Sequence, residues 1–336
     1  MRGRPQISRQ PFIFRRRSLP FDADPKIIDE LHARLRHQPF PFPAIPSSNV
    51  LADAVARLRG LRMVISENGE IRPASNTGTR LCAAFFPNRY RATWKSSTSA
   101  FDAWHDDGEL RKAIRFQVRH GDPVTPERVL RAITLRCRTP TVFRPAVARF
   151  IYERYCPSGG RAWDPCAGYG GRLFGASAAG VSYLGTDVDA ATVDGNRRLA
   201  ESVGSNGTVH LAAAETFDPP MVDLVFTSPP YFDQERYSQE FAQSWRKHGK
   251  GFETWVSGFL RPVMERASSA LAGGGFLVLN VANVATGGKT IPVAIRTVET
   301  ARALGFVHVE TLGMPLASIN RVSPVEPIFV FQRGSH

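Results

Sequence analysis

Cysteine is scarce, with only Cys82, Cys137, Cys156 and Cys166 among 336 residues. Their separations of 55, 19 and 10 residues match neither a metal knuckle nor a disulfide framework. No metal site is expected, and the thiols are expected to be reduced, as in a cytoplasmic protein. No run approaches the roughly 18 to 20 apolar residues that a membrane span needs. The opening stretch, MRGRPQISRQPFIFRRRSLP, lacks the apolar core and cleavage site of a secretory signal. A soluble, cytoplasmic protein without a membrane partner is therefore expected. The absence of internal repeats and low-complexity tracts excludes a solenoid. Acidic residues are also short, 30 against 43 Lys+Arg for a net charge of +13. That balance disfavours a basic partner and makes a polyanion the first to test. Lysine supplies only 6 of the 43 cations, and the other 37 are arginine. This excess is accounted for equally by GC-rich coding and by bidentate phosphate contacts.

The charge is uneven along the chain. Residues 1–125 hold 21 Lys+Arg against 12 Asp+Glu, whereas residues 126–336 hold 22 against 18. The first third reads as a basic accessory region. It has an Arg/Pro/aromatic arm and a Pro-rich stretch from Pro39 to Pro46, with helical patterns at Asp24–His37 and Val50–Leu61. Within it, Asn88–Ser99 interleaves Arg89, Arg91 and Lys95 with Tyr90 and Trp94. Cations beside flat rings suit nucleic acid, with phosphates paired to the former and bases stacked on the latter. The competing reading, of equal weight, is a strand with core aromatics and solvated arginines.

From about residue 126 helix and strand patterns alternate, the sequence form of a parallel sheet with crossover helices. Strands are expected at Arg161–Asp164, Ser182–Asp187, Val209–Ala213, Met221–Thr227 and Gly275–Asn280, with Phe306–Leu312 and Pro327–Gln332 as a terminal antiparallel pair. Helices are expected at Pro145–Arg154, Arg172–Ala179, Ala191–Val203, Trp255–Leu271 and Pro292–Leu304. The fold class is α/β, a Rossmann-like doubly wound sheet of seven strands. The domain division is 1–125, accessory, and 126–336, the sheet domain.

Two loops fall on one edge of that sheet. Asp164-Pro-Cys-Ala-Gly-Tyr-Gly-Gly-Arg172 joins a strand to a helix, where glycines admit a ligand to the backbone and the helix start offers free N–H groups. It is neither G-x-G-x-x-G nor a P-loop, which demotes a dinucleotide or NTP. About 20 residues on, a strand ends at Asp187, a carboxylate able to take both hydroxyls of a ribose or, more plainly, to cap the next helix with Asp189. The second loop runs an apolar strand into Thr227-Ser-Pro-Pro-Tyr231. Prolines have no N–H, so their carbonyls are left as acceptors. With the Ser228 hydroxyl and the Tyr231 ring, they suit an exocyclic amino group on a stacked, flipped base.

Together these loops resemble the S-adenosylmethionine-dependent amino-methyltransferases of DNA, over roughly residues 140 to 285. The resemblance implies S-adenosyl-L-methionine as cofactor, held by Phe143, Asp164, Ala167, Gly168, Gly170, Asp187 and Glu215. Phe143 lies in Thr141-Val-Phe-Arg-Pro145, which is similar to the segment closing over the methionine end. Ser228, Pro229, Pro230 and Tyr231 match the (D/N/S)-P-P-(Y/F) motif. There the first two bind the target amine and the tyrosine stacks on the base, with Ser leaning toward cytosine N4 over adenine N6. Little chain is left for a large recognition domain after the sheet, so target contact falls by elimination to the basic region and loops, with Arg89, Arg91, Trp94, Arg236 and Arg321 as candidates. The implied partners are DNA and, for a modification enzyme, a cognate restriction nuclease. RNA is the alternative polymer, and a non-catalytic nucleic-acid-binding protein the alternative class.

Overall fold

The computed structural model describes residues 24–94, 97–137, 139–233, 235–238, 242–249, 251–286, 289–316 and 324–334. The basic arm to residue 23, Lys95, Lys250 and Arg321 lie outside them. The chain parts into two units, Met1–Phe42 with Tyr90–Pro140, and Pro43–Arg89 with Thr141–His336. The sequence reading places one boundary at 125/126, whereas the structure has the chain leave the first unit at Phe42 and return to it at Tyr90. The first unit carries 19 Lys+Arg against 10 Asp+Glu, so most of the net charge is concentrated in it.

What is described of the first unit is mainly helical, with longer helices at Pro25–Leu35, Asp107–Arg119 and Pro126–Cys137. Each of the first two starts on an aspartate. Asp24 accepts from Lys26 N at 2.9 Å and Asp106 from Glu109 N at 2.8 Å, satisfying helix donors that would otherwise lack partners. The apolar faces close around Leu35, Phe40, Tyr90, Trp104, Ile114 and Val129. Tyr90 is therefore a core aromatic and not a platform for a base.

The second unit is built on a seven-stranded sheet: β1 (Arg161–Asp164), β2 (Ser182–Asp187), β3 (Thr208–Leu211), β4 (Val222–Thr227), β5 (Leu271–Asn280), β6 (Phe306–Pro315) and β7 (Val325–Arg333). The order is β3-β2-β1-β4-β5-β7-β6. The first five strands are parallel, and β7 runs antiparallel to both neighbours. This is the doubly wound order with one reversed strand slipped between its last two members. The crossover helices are α1 (Pro145–Tyr155), α2 (Gly171–Ala179), α3 (Ala190–Ser202), α4 (Arg261–Ala270) and α5 (Val293–Ala303). Successive side chains of β4 alternate between faces. Leu224 and Phe226 enter the core with α1 and α2, and Val225 enters the one with α4.

Residues 43–89 join this unit through reciprocal helix capping. Arg149 of α1, buried to 4% exposure, donates to the carbonyls of Arg59 and Leu61 at the end of the Ser48–Gly60 helix. Arg59 in turn donates to the Ala178 carbonyl, at 3.2 Å, at the end of α2. Each guanidinium thus meets carbonyls left over at a helix C-terminus. No helix among the described residues is long and apolar enough to cross a membrane, and all four cysteines are free thiols.

Candidate active site at the strand switch point

The strand order reverses between β1 and β4, the place where doubly wound sheets bind ligands beyond their strand ends. Parallel register pairs Trp163 with Val225 and Asp164 with Gly185. The loops that follow β1, β2 and β4 therefore leave the sheet side by side.

Asp164 holds the arrangement together. It is 1% exposed, and its carboxylate accepts from Arg172 Nε at 2.7 Å, Tyr183 Oη at 2.7 Å and Thr227 Oγ1 at 2.8 Å. Thr227 Oγ1 also accepts from Cys166 N at 3.2 Å, so one hydroxyl ties the β4 loop to the β1 loop. The Asp164 carboxylate is thus spent inside the loop. Ala167, also buried, donates its N–H to Thr186 O at 2.9 Å. Gly170 has a left-handed φ of 72°, and an added Cβ there would meet Leu199 at 2.5 Å and Phe86 at 2.9 Å. At Gly171 a Cβ would stand 1.9 Å from the Phe143 carbonyl. The strand-to-helix turn therefore requires glycine, and Phe143 lies directly against the start of α2.

Asp187 ends β2 with Oδ2 accepting from Gly168 N at 2.9 Å and Oδ1 from Asp189 N at 3.0 Å. Neither oxygen caps α3, so the plain capping reading does not describe it. Each oxygen retains a further acceptor direction. Burial pushes this carboxyl up to about 6, against the opposing pull of the Asp189 and Gly168 N–H groups.

On the β4 loop Pro229 is buried, Ser228, Pro230 and Tyr231 are partly so, and Phe232 turns with a φ of 57°. That left-handed conformation is unusual for a bulky residue and is sustained by burying Phe232 against Phe252 and Trp255. The Tyr231 hydroxyl donates to Glu326 Oε1 at 2.8 Å.

Glu215 has two side-chain partners within the sheet unit. It accepts from Lys247 Nζ at 2.8 Å and is 3.1 Å from His248 Nε2. Burial pushes its carboxyl up, but the hydrogen bonds from Lys247, its own backbone and His248 outweigh this and hold it below the usual glutamate range. The nucleic-acid candidates within the described residues are divided between the two units. Arg89 closes the sheet unit, while Arg91 and Trp94 belong to the helical one, with the Arg91 guanidinium 3.6 Å from the Phe101 ring centroid. Arg236 lies in the sheet unit, 4.9 Å from the Trp245 ring centroid. Sequence reasoning missed Arg172, Tyr183 and Glu326. Each acts through a partner distant in the chain or by a type common in any loop, and no motif marks it.

No family model matches the chain, and no curated protein matches it. Among solved structures, TrmN from Thermus thermophilus is 19% identical with a TM-score of 0.40, covering 57% of this chain and 49% of its own. The present chain thus spans about half of TrmN. A methyltransferase from Pyrococcus furiosus is 16% identical with a TM-score of 0.41, covering 57% of this chain and 84% of its own. Precorrin-6y C5,15-methyltransferase from Geobacter metallireducens is 18% identical with a TM-score of 0.38, covering 57% and 87%. At such scores these likenesses carry no weight for activity, which rests on the chain's own residues.

Proposed function

We propose that the protein is an S-adenosylmethionine-dependent methyltransferase acting on the exocyclic amino group of a base in DNA, with cytosine N4 favoured over adenine N6. One observation carries this: the Ser228–Tyr231 loop is tied through Thr227 and Asp164 to a glycine turn beside Asp187, at the sheet's switch point.

The residues fit the cofactor. Asp187 offers two acceptor oxygens for a ribose, and the turn at Gly168–Gly171 keeps side chains out of the space a ligand needs. When bound, S-adenosylmethionine supplies an electrophilic methyl group on a sulfonium. The chain's own task is positioning. Ser228 Oγ and the Pro229 carbonyl accept from the target amine, orienting a lone pair otherwise delocalised into the ring, and Tyr231 stacks on the base. No covalent enzyme intermediate is needed, and burial, the largest influence, pushes the Cys166 thiol well up, away from the thiolate a nucleophile requires.

The Asp187 role has a pH signature. Ionised Asp187 accepts ribose hydroxyls, whereas the protonated acid loses acceptor strength. Donor affinity should hold above pH 6 and fall up to tenfold per unit below it, and Asp187→Ala should abolish that slope while costing about 1.5 to 3 kcal/mol of binding. Stability moves the other way. The folded pKa of about 6 lies above the ordinary 3.8, so this group's contribution is fully present below pH 3.8 and is lost as pH rises toward 6. Calorimetric titration with S-adenosylmethionine from pH 5 to 8 checks this, and a pH-independent affinity in the wild type would remove Asp187 from the ribose site.

We assign polymer binding to the basic helical unit and the arm before it, supported by the concentration of charge there and by exposed Arg115, Arg128 and Arg131. Removing residues 1–23 takes away six arginines and one aspartate. Binding to mixed-sequence duplex should weaken, and each phosphate left without its arginine should lower the salt slope by about 0.9. The cut stops there, because Ile28, Leu31 and Leu35 belong to the helical unit's own core. An unchanged slope would place polymer binding away from the arm. Competition with duplex RNA discriminates the polymer.

A further inference from the structure

Resting on the amino-methyltransferase reading, we propose that Glu326 is a positioning residue and the terminal proton acceptor of the site, reached from the target amine through Ser228 and Tyr231. The Tyr231 hydroxyl donates to Glu326 Oε1 at 2.8 Å, and Ser228 stands three residues before Tyr231 on the same loop. A motif beginning with Ser lacks the carboxylate that an aspartate would bring to this position. Here a carboxylate reaches Tyr231 instead, from β7, 95 residues further along the chain.

The proton count requires such an acceptor. As the new C–N bond forms, the methyl–sulfur bond breaks and its electron pair stays on sulfur. The amine nitrogen then carries a positive charge until it sheds one hydrogen. That proton passes to Ser228 Oγ as Ser228 gives its own to Tyr231 Oη and Tyr231 gives its own to Glu326 Oε1. Serine and tyrosine end neutral, and Glu326 ends as the acid.

Four further groups face Glu326. Arg144, from the segment before α1, lowers its proton affinity, as does Asn280 at the end of β5. Glu235, on the loop after Tyr231, raises its own proton affinity in response to Glu326 but is bonded to Tyr237 instead of Tyr231. Met314, opposite Glu326 on β6, has no charge. Burial, the largest influence, leaves the Glu326 carboxyl above the ordinary glutamate range, which makes it a better proton acceptor than a solvated carboxylate.

The test uses the full-length chain with saturating S-adenosylmethionine on mixed-sequence duplex DNA and RNA. Saturation keeps the titration of Asp187 out of kcat. Glu326→Gln retains an acceptor for the phenol but takes up no proton. It should lower kcat about 10- to 100-fold and flatten the acid limb of the kcat–pH profile, with donor affinity within twofold. Tyr231→Phe should lower kcat comparably, and the double variant should be no worse than either single one. Carbon-13 NMR of glutamate carboxyls supplies a readout without turnover. The resonance missing in Glu326→Gln should titrate above the ordinary range in the wild type and higher still in Tyr231→Phe. An active wild type with an equally active Glu326→Gln of unchanged acid limb overturns the relay and leaves the function standing. A wild type that methylates neither polymer overturns the function, and the relay with it.

Discussion

Asp164→Ala should lose about 3 to 5 kcal/mol of stability, the scale for breaking a buried ion pair from one side. The loss comes mostly from what remains behind. Arg172, 4% exposed, keeps its charge without the carboxylate 2.7 Å away, while Tyr183 Oη and Thr227 Oγ1 lose their acceptor. Against a typical total of 5 to 15 kcal/mol, that is a large fraction. Urea unfolding measures it. Combining the change with Arg172→Met should recover part of the loss, because the uncompensated guanidinium goes too. A loss below about 1 kcal/mol would show that Asp164 does not hold the two loops. The same substitution should weaken binding of S-adenosylmethionine, since the turn keeps its bond from Cys166 N to Thr227 but loses the carboxylate that holds Arg172 and Thr227 together.

The second large effect is on turnover. Tyr231→Ala should reduce kcat by about 100-fold or more, through loss of stacking worth roughly 1 to 3 kcal/mol and of alignment at the amine. Donor affinity should stay within threefold, because Tyr231 lies on the β4 loop and the ribose acid on β2. The substitution also leaves Glu326 without the phenol that donates to it. Comparison with Tyr231→Phe therefore separates ring from hydroxyl, and the ring should account for most of the extra loss. Wild-type turnover in Tyr231→Ala would end the stacking role.

The strands and helices of the sheet domain were legible because burial on both faces writes apolar runs, and the helices between them carry a different period. Both loops were legible for a local reason: glycine and proline at strand ends announce backbone geometry by residue type. The path of residues 43–89 was not. Nothing in the texture of Val50–Leu61 shows that its last carbonyls are received by an arginine 88 to 90 residues away. The cluster around Tyr90 left two readings open for a related reason, since an aromatic between arginines reads the same whether its ring faces a base or a core. The Ser228–Tyr231 loop stands out in the sequence as a motif, but its hydrogen bond to Glu326 does not, because that contact exists only once β7 is laid beside β5. Glu215 likewise follows β3 as expected, yet its carboxylate goes to Lys247 and His248, residues that no pattern pairs with it.

The most direct test of amino-group methylation is transfer from labelled S-adenosylmethionine to mixed-sequence duplex DNA, followed by digestion to nucleosides and mass spectrometry. N4-methylcytosine or N6-methyladenine from the wild type, with neither from Tyr231→Ala, is the expected result. A wild type that binds the labelled donor but leaves no methylated exocyclic amine in DNA or in RNA would contradict it.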